Sequence, residues 1–165
     1  MKIIKQLVLT SILVLFASAV FAETKMRITL QLPLKAHLGQ NLLVFKKELE
    51  KRSDIIVEIY DSAQLYKDKE VPQAVGSGAI EAGVASLTRF AGTNPEVDIF
   101  YLPFLFDSEK KIRKATKSGS KIRQVLDPAI SKTGAVPLYY QAYGSAVMLS
   151  NGTPMNTPAA FKNKK

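Results

Sequence analysis

Arg27-Ile28-Thr29-Leu30-Gln31-Leu32 alternates apolar and polar residues, the period of a strand with Ile28, Leu30 and Leu32 on its buried face. Pro33 and the following Leu34-Lys35-Ala36 end it. Past that break, Leu38, Leu42, Phe45 and Leu49 recur at steps of four, three and four, which predicts a helix with one apolar face. On its other side Glu48 and Arg52, and Lys46 and Glu50, stand four residues apart and can pair. Ser53-Asp54 stops the helix, and Ile55 to Tyr60, rich in β-branched and aromatic residues, predicts a second strand. Strand, helix and strand in this order argue an α/β domain with a mostly parallel sheet.

Further along the chain, Asp68 is placed to N-cap a helix running to about Val75, which Pro72 keeps short or kinked. Gly76-Ser77-Gly78 stops it; the triplet is too short for a phosphate loop and lacks the trailing Lys-Ser/Thr. Ile80 to Ser86 reads as a third strand with Gly83 inside it, and an irregular stretch with Gly92, Asn94 and Pro95 leads to Ile99 through Phe106. Ser108 caps a basic helical region that Gly119 divides in two, with Ile112, Ala115, Ile122 and Leu126 on its apolar side. Gly134 introduces a last predicted strand, Ala135 to Met148.

On the N-terminal side, Met1-Lys2-Ile3-Ile4-Lys5 is a basic leader before an apolar run from Leu7 to Ala19, and Val20-Phe21-Ala22 carries small residues where a signal peptidase reads. Residues 1–22 are therefore read as a secretory signal cleaved before Glu23. The apolar run is short against the ~20 residues of a membrane span, so no stable membrane insertion is expected after cleavage. Loss of Lys2 and Lys5 lowers the formal net charge of +9 by two. The remaining excess is concentrated between Lys110 and Arg123, where seven bases stand without an acid. The run has no interleaved aromatics and an exported protein rarely meets nucleic acid, so these bases read as the wet face of a helix and no nucleic-acid partner is expected.

The composition excludes much chemistry. Among 165 residues there is no Cys and one His, so disulfides, thiolate metal sites, Cys nucleophiles and lipidated anchors fall away. No HExxH, EF-hand loop or Gly-x-Ser-x-Gly elbow is present. Nothing nominates a metal, a cofactor or a catalytic pair. What remains is recognition chemistry. His37 lies at a strand-to-helix junction, where open α/β sheets place ligands, although by itself a cap or surface role is the simpler reading. Arg89 follows the third strand amid Ser86 and Thr88, a grouping suited to a carboxylate or polyol; a plain ion pair with a nearby acid is the other reading. Tyr139, Tyr140 and Tyr143 suit either stacking on a ligand or core packing.

Several segments in order resemble one family. They are Leu32-Pro33 through His37 before a helix ending Glu50-Lys51-Arg52-Ser53, then Ile59 to Leu65, Val75 to Glu81, Ser86 to Phe90, and Leu102-Pro103-Phe104-Leu105-Phe106. The last are Ala142-Tyr143-Gly144 and the stretch from Ser150-Asn151 through Pro154-Met155-Asn156-Thr157-Pro158 to Lys162. Together these are similar to the solute-binding proteins of TRAP transporters, the DctP-type family. The resemblance implies a non-enzymatic periplasmic receptor with a periplasmic-binding-protein type II-like lobe. Such a receptor traps a small organic acid, such as a C4-dicarboxylate, between two hinged α/β lobes and delivers it to a small and a large integral-membrane TRAP subunit. By position, Lys35 and His37 in the first loop, Ser86 and Arg89 after the third strand, and Tyr143 on the crossing strand would face the cleft.

The chain departs from the family pattern in places. The turn at Ser53-Asp54 is short and lacks a glycine, Asp61 replaces a common proline, Tyr66 stands where a glycine is usual, and Pro72 falls inside the second helix. Ala146 occupies a position where some sialic-acid binders carry an arginine. Family members run to about twice this length, and their carboxylate-clamping arginine lies just past a segment like Phe161 to Lys165. The expectation is a truncated chain. Residues 23–141 would form the first lobe and 142–165 the crossing strand and the start of a second lobe that is largely missing. One open wall would then bind weakly, and the tail would expose apolar surface. Two other readings are a small exported enzyme using Arg89, His37 and a carboxylate, and a basic envelope interaction module.

Overall fold

A computed structural model describes residues 23–144, 149–152 and 154–162; the predicted signal segment lies outside them. Three parallel strands form the sheet, β1 (Thr24–Thr29), β2 (Ile55–Tyr60) and β3 (Ala82–Gly83), in the order β2-β1-β3. β1 pairs with β2 along its whole length, from Thr24 opposite Ile55 to Thr29 opposite Tyr60. The first strand thus starts earlier and ends earlier than the alternation predicted. The reason lies in the loop after β2, which turns back so that Ala63 donates to the Leu30 carbonyl at 2.9 Å and Ser62 to that of Leu32 at 3.1 Å. Those loop amides occupy acceptors that a longer ladder would have used.

Helices cover both faces of the sheet. α1 (His37–Arg52) follows the predicted spacing and stops at Ser53, with both expected ion pairs formed, Lys46–Glu50 at 2.9 Å and Arg52–Glu48 at 2.6 Å. It buries Leu38 and Leu42 against Ile28, Leu30 and Val57, the first core, with Leu32, Phe45 and Leu49 packed around it. α2 (Val71–Gly76) lies on the opposite face. A methyl group on Gly83 would meet Val71 Cγ1 at 2.5 Å and Thr29 Cγ2 at 3.1 Å, so glycine is what lets this helix approach β3.

Four expectations are corrected. Asp68 is not the N-cap of α2; Glu70 holds that position, and the carboxylate of Asp68 is used elsewhere. β3 spans two residues rather than Ile80 to Ser86. Its upstream rung is replaced by a side chain, because the Arg27 amide that faces β3 donates to Glu81 Oε2 at 2.9 Å. The predicted strand from Ala135 forms no ladder over residues 135–144, and its remaining residues, 145–148, lie outside the described ones. A strand exists only where a neighbouring backbone takes its hydrogen bonds, and this segment is held by side chains instead. Arg123, finally, does not belong to a wet face: its side chain is only 12% exposed.

The C-terminal half is built on three 3₁₀ turns, Leu87–Phe90, Pro95–Tyr101 and Pro158–Phe161, and two helices, α3 (Glu109–Thr116) and α4 (Lys121–Ser131). Ser108 and Ser120 cap α3 and α4 by accepting from the amides of Lys111 and Arg123, and Gly119, at φ +75°, separates them. Phe90, Val97, Leu126 and Ile130 form the second core. Residues 135–144 lie against these elements. Tyr140 donates to Asp127 Oδ1 at 2.8 Å, the Arg123 guanidinium sits 5.1 Å from its ring centroid, and Tyr139 packs on Phe45 at 6.2 Å. Burial, followed by the bond to Asp127, pushes the Tyr140 hydroxyl pKa far up.

Candidate functional site

Two short connections at the carboxyl ends of the strands carry four of the five predicted site residues; the fifth, Tyr143, comes from the segment after α4. The first joins β1 to α1. Its bend is fixed from outside, because Asp61 Oδ2 accepts the Leu34 amide at 2.9 Å. It is fixed from inside by Gly39, where a methyl group would fall 2.5 Å from the Leu34 backbone. Asp61, one of the departures from the family pattern, is thus a working part of this loop.

His37 is the first residue of α1 and caps nothing; the N-cap is Ala36. Its Nε2 lies 3.4 Å from the Ala142 carbonyl oxygen, and its ring meets Tyr143 edge-on at 6.4 Å between centroids. This brings two predicted residues together across more than a hundred positions of chain. A groove of about 510 Å³ opens beside them between α1 and α3, lined among others by His37, Asn41, Arg113 and Tyr139. Glu109 pairs with Arg113 at its rim at 2.5 Å. Lys35 is exposed and makes no ion pair among the described residues.

The second loop follows β3. Asp68 is its centre: Oδ1 accepts the Ser86 amide at 2.9 Å and Oδ2 accepts Arg89 Nε at 2.5 Å. The turn closes on itself where the Arg89 amide donates to the Ser86 carbonyl at 2.9 Å. Arg89 therefore forms the plain ion pair that the sequence allowed, but through Nε alone. Its two terminal nitrogens have no protein partner among the described residues, and its side chain is 45% exposed against 24% for Asp68. A guanidinium held at Nε and open at its terminal fork is oriented to receive a carboxylate. The Ser86 hydroxyl caps nothing and is available beside it.

Arg27 shows the contrasting state. Its Nε and Nη2 both reach Glu81, at 2.8 and 2.7 Å, and Nη2 also donates to the Ala79 carbonyl. These bonds hold the Glu81 carboxyl well below its usual range, at about 2.

The structure thus makes two clusters of the five predicted residues, His37 with Tyr143 and Ser86 with Arg89, and leaves Lys35 apart. Neither Ser86 nor Arg89 lines the groove beside His37. Sequence reasoning assigned Asp68 to a helix end and so missed it as the residue that orients Ser86 and Arg89. No local pattern links an acid to an arginine 21 positions away. Among the described residues no group of three or more acidic or histidine side chains is arranged to hold a metal, and no helix is long and apolar enough to cross a membrane.

Comparison with known proteins adds the following. The sequence pattern described as "Bacterial extracellular solute-binding protein, family 7" (DctP) matches residues 30–165. The C4-dicarboxylate-binding periplasmic protein DctP of Rhodobacter capsulatus is 30% identical over 130 residues, covering 77% of this chain and 38% of that protein. Its namesake from Shewanella loihica is 26% identical and covers 98% of this chain and 49% of its own. The chain therefore spans half or less of the length of these curated relatives. Among solved structures, a TRAP periplasmic solute-binding protein from Pseudomonas aeruginosa with bound L-malate aligns at TM-score 0.64 and 25% identity, over 70% of this chain and 40% of that one. Another, from Sulfurospirillum deleyianum with bound succinate, aligns at TM-score 0.59 and 25% identity, over 69% and 37%.

Proposed function

The chain belongs to the DctP family of bacterial extracellular solute-binding proteins, and we propose that residues 23–141 act as the first lobe of a periplasmic receptor for a small organic acid. In this reading the protein is not an enzyme. Residues 1–22 direct export, residues 142–165 lead towards a second lobe, and the loaded receptor delivers its ligand to a small and a large integral-membrane TRAP subunit. The ligand faces Arg89 and Ser86 on one loop, Lys35 and His37 on the other, and Tyr143 on the crossing segment. The observation that carries the reading is the open terminal fork of Arg89, held by Asp68 beside a free hydroxyl. The malate and succinate bound by relatives support a carboxylate as its partner. Hydroxylated and plain dicarboxylates are both represented there, so the class proposed is a short organic acid.

A ligand seated on one lobe keeps much of its hydration, so the expected dissociation constant for this lobe is on the order of 1 mM. Amide spectra of the purified chain, titrated with succinate and with its uncharged diamide, test this. Succinate is expected to move the resonances of residues 86–90 and 35–37, the diamide is not, and Arg89→Ala is expected to abolish the response. Equal responses to both compounds, or a succinate response unchanged by Arg89→Ala, overturn the assignment.

A further inference from the structure

The outer side of β2 has no strand beside it among the described residues. Tyr60 turns its carbonyl towards β1, where it accepts the Leu30 amide at 2.9 Å. By the alternation of a strand, Ile55, Val57 and Ile59 then turn their backbone groups outward. An open row of this kind is a template for another strand. Here it is occupied. The Val57 amide donates to Glu50 Oε1 at 2.8 Å, and the Val57 carbonyl accepts from Lys46 Nζ. Lys46 and Glu50 also bond each other at 2.9 Å on successive turns of α1, and the Ile55 amide donates to Ser53 Oγ at 3.4 Å.

We propose that the Lys46–Glu50 pair is a guard on the open edge of the sheet, and that without it β2 pairs antiparallel with β2 of a second copy of this chain. An i,i+4 pair on an exposed helix gives only a few tenths of a kcal/mol to the helix itself. This one also fills both the donor and the acceptor at the midpoint of the edge. The strand it shields, Ile55-Ile56-Val57-Glu58-Ile59-Tyr60, is β-branched and aromatic with a single charge, the composition most prone to strand addition. It is also self-complementary. Pairing about Val57 sets Ile55 against Ile59 of the other copy, so the interface closes on a two-fold axis. Ile55, Val57 and Ile59 already belong to or pack on the first core, so the two cores would continue across the join. The inference is independent of the proposed ligand.

The test compares the purified chain with Lys46→Ala/Glu50→Ala, substitutions that favour the helix, by sedimentation equilibrium with circular dichroism as the check on folding. The double variant is expected to keep its circular dichroism and double its mass relative to the parent. Adding Ile59→Pro, which removes an outward amide at a position an edge strand tolerates, is expected to restore the parent's mass. A folded double variant with the parent's mass, or a doubling that survives Ile59→Pro, overturns the proposal. Amide exchange in the parent gives a reading that needs no variant. The Val57 amide is expected to be protected, and exchange at the rate of an open edge amide contradicts the guard.

Discussion

Arg27 and Arg89 flank the same strand, β3, and both pair with an acid, yet they are left in opposite states. At the β1–β3 junction two guanidinium nitrogens of Arg27 are answered: Nε and Nη2 by Glu81, Nη2 again by Ala79, with its backbone amide also bonded to Glu81. In the loop after β3, Asp68 divides its carboxylate between Arg89 Nε and the Ser86 amide, and the terminal fork of Arg89 stays open. The difference teaches how to separate a structural arginine from a poised one. The distinguishing feature is the fraction of the guanidinium that is satisfied, since both have an ion pair. At Arg27 the bonded acid also takes the place of a ladder rung; at Arg89 one nitrogen is held and the terminal fork is left for the carboxylate we propose.

The contrast makes graded predictions. Glu81→Ala strands an amide and a guanidinium together, and is expected to cost about 1–2 kcal/mol in urea unfolding, the largest effect among these four. Its acid dependence follows from the same bonds. A carboxyl held at about 2 in the folded protein, below its ordinary 4.5, gives stability that is complete above pH 4.5 and is lost as pH falls towards 2. Glu50 and Glu58 are lowered by their bonds to Val57 and Lys25, and Asp107 by its bond to Lys111, so they add to the same acid limb. Unfolding midpoints measured from pH 6 to pH 2 should fall less steeply in Glu81→Gln than in the parent.

Tyr140→Phe removes the bond to Asp127 that ties residues 135–144 to α4, and about 1 kcal/mol is expected by the same unfolding measurement. Asp68→Ala should weaken the succinate response about fivefold by leaving Arg89 free to rotate, while Arg89 keeps its charge. Smallest of all, Arg89→Ala should change stability by less than about 1 kcal/mol, as exposed single-pronged pairs do. A stability loss there as large as that of Glu81→Ala would erase the distinction between the two arginines.

How far this was legible from the sequence depends on the range of the forces involved. α1 was readable because Leu38, Leu42, Phe45 and Leu49 encode their own face, and its end because Ser53-Asp54 interrupts that spacing. The cap at Ser108 and the break at Gly119 are equally local. β1 and β2 were readable as strands, but the end of β1 was not, since Ser62 and Ala63 of a later loop decide it. The segment from Ala135 carries strand-like residues yet forms no ladder over its described part, because β3 offers only two residues and Tyr139 and Tyr140 find side-chain partners instead. The site was half legible. Arg89 and His37 stood out by type and position, whereas the role of Asp68 arises only when the fold closes α2's approach onto the turn after β3.

The account's central claim is that Arg89 is held ready for a carboxylate. It is tested most directly by following the side-chain Nε–Hε resonances of Arg27 and Arg89 while succinate is added. The account predicts that the Arg89 resonance shifts in a saturable way and that of Arg27 stays in place. An unmoved Arg89 signal at succinate concentrations well above 1 mM, on the order of the expected constant, would contradict it.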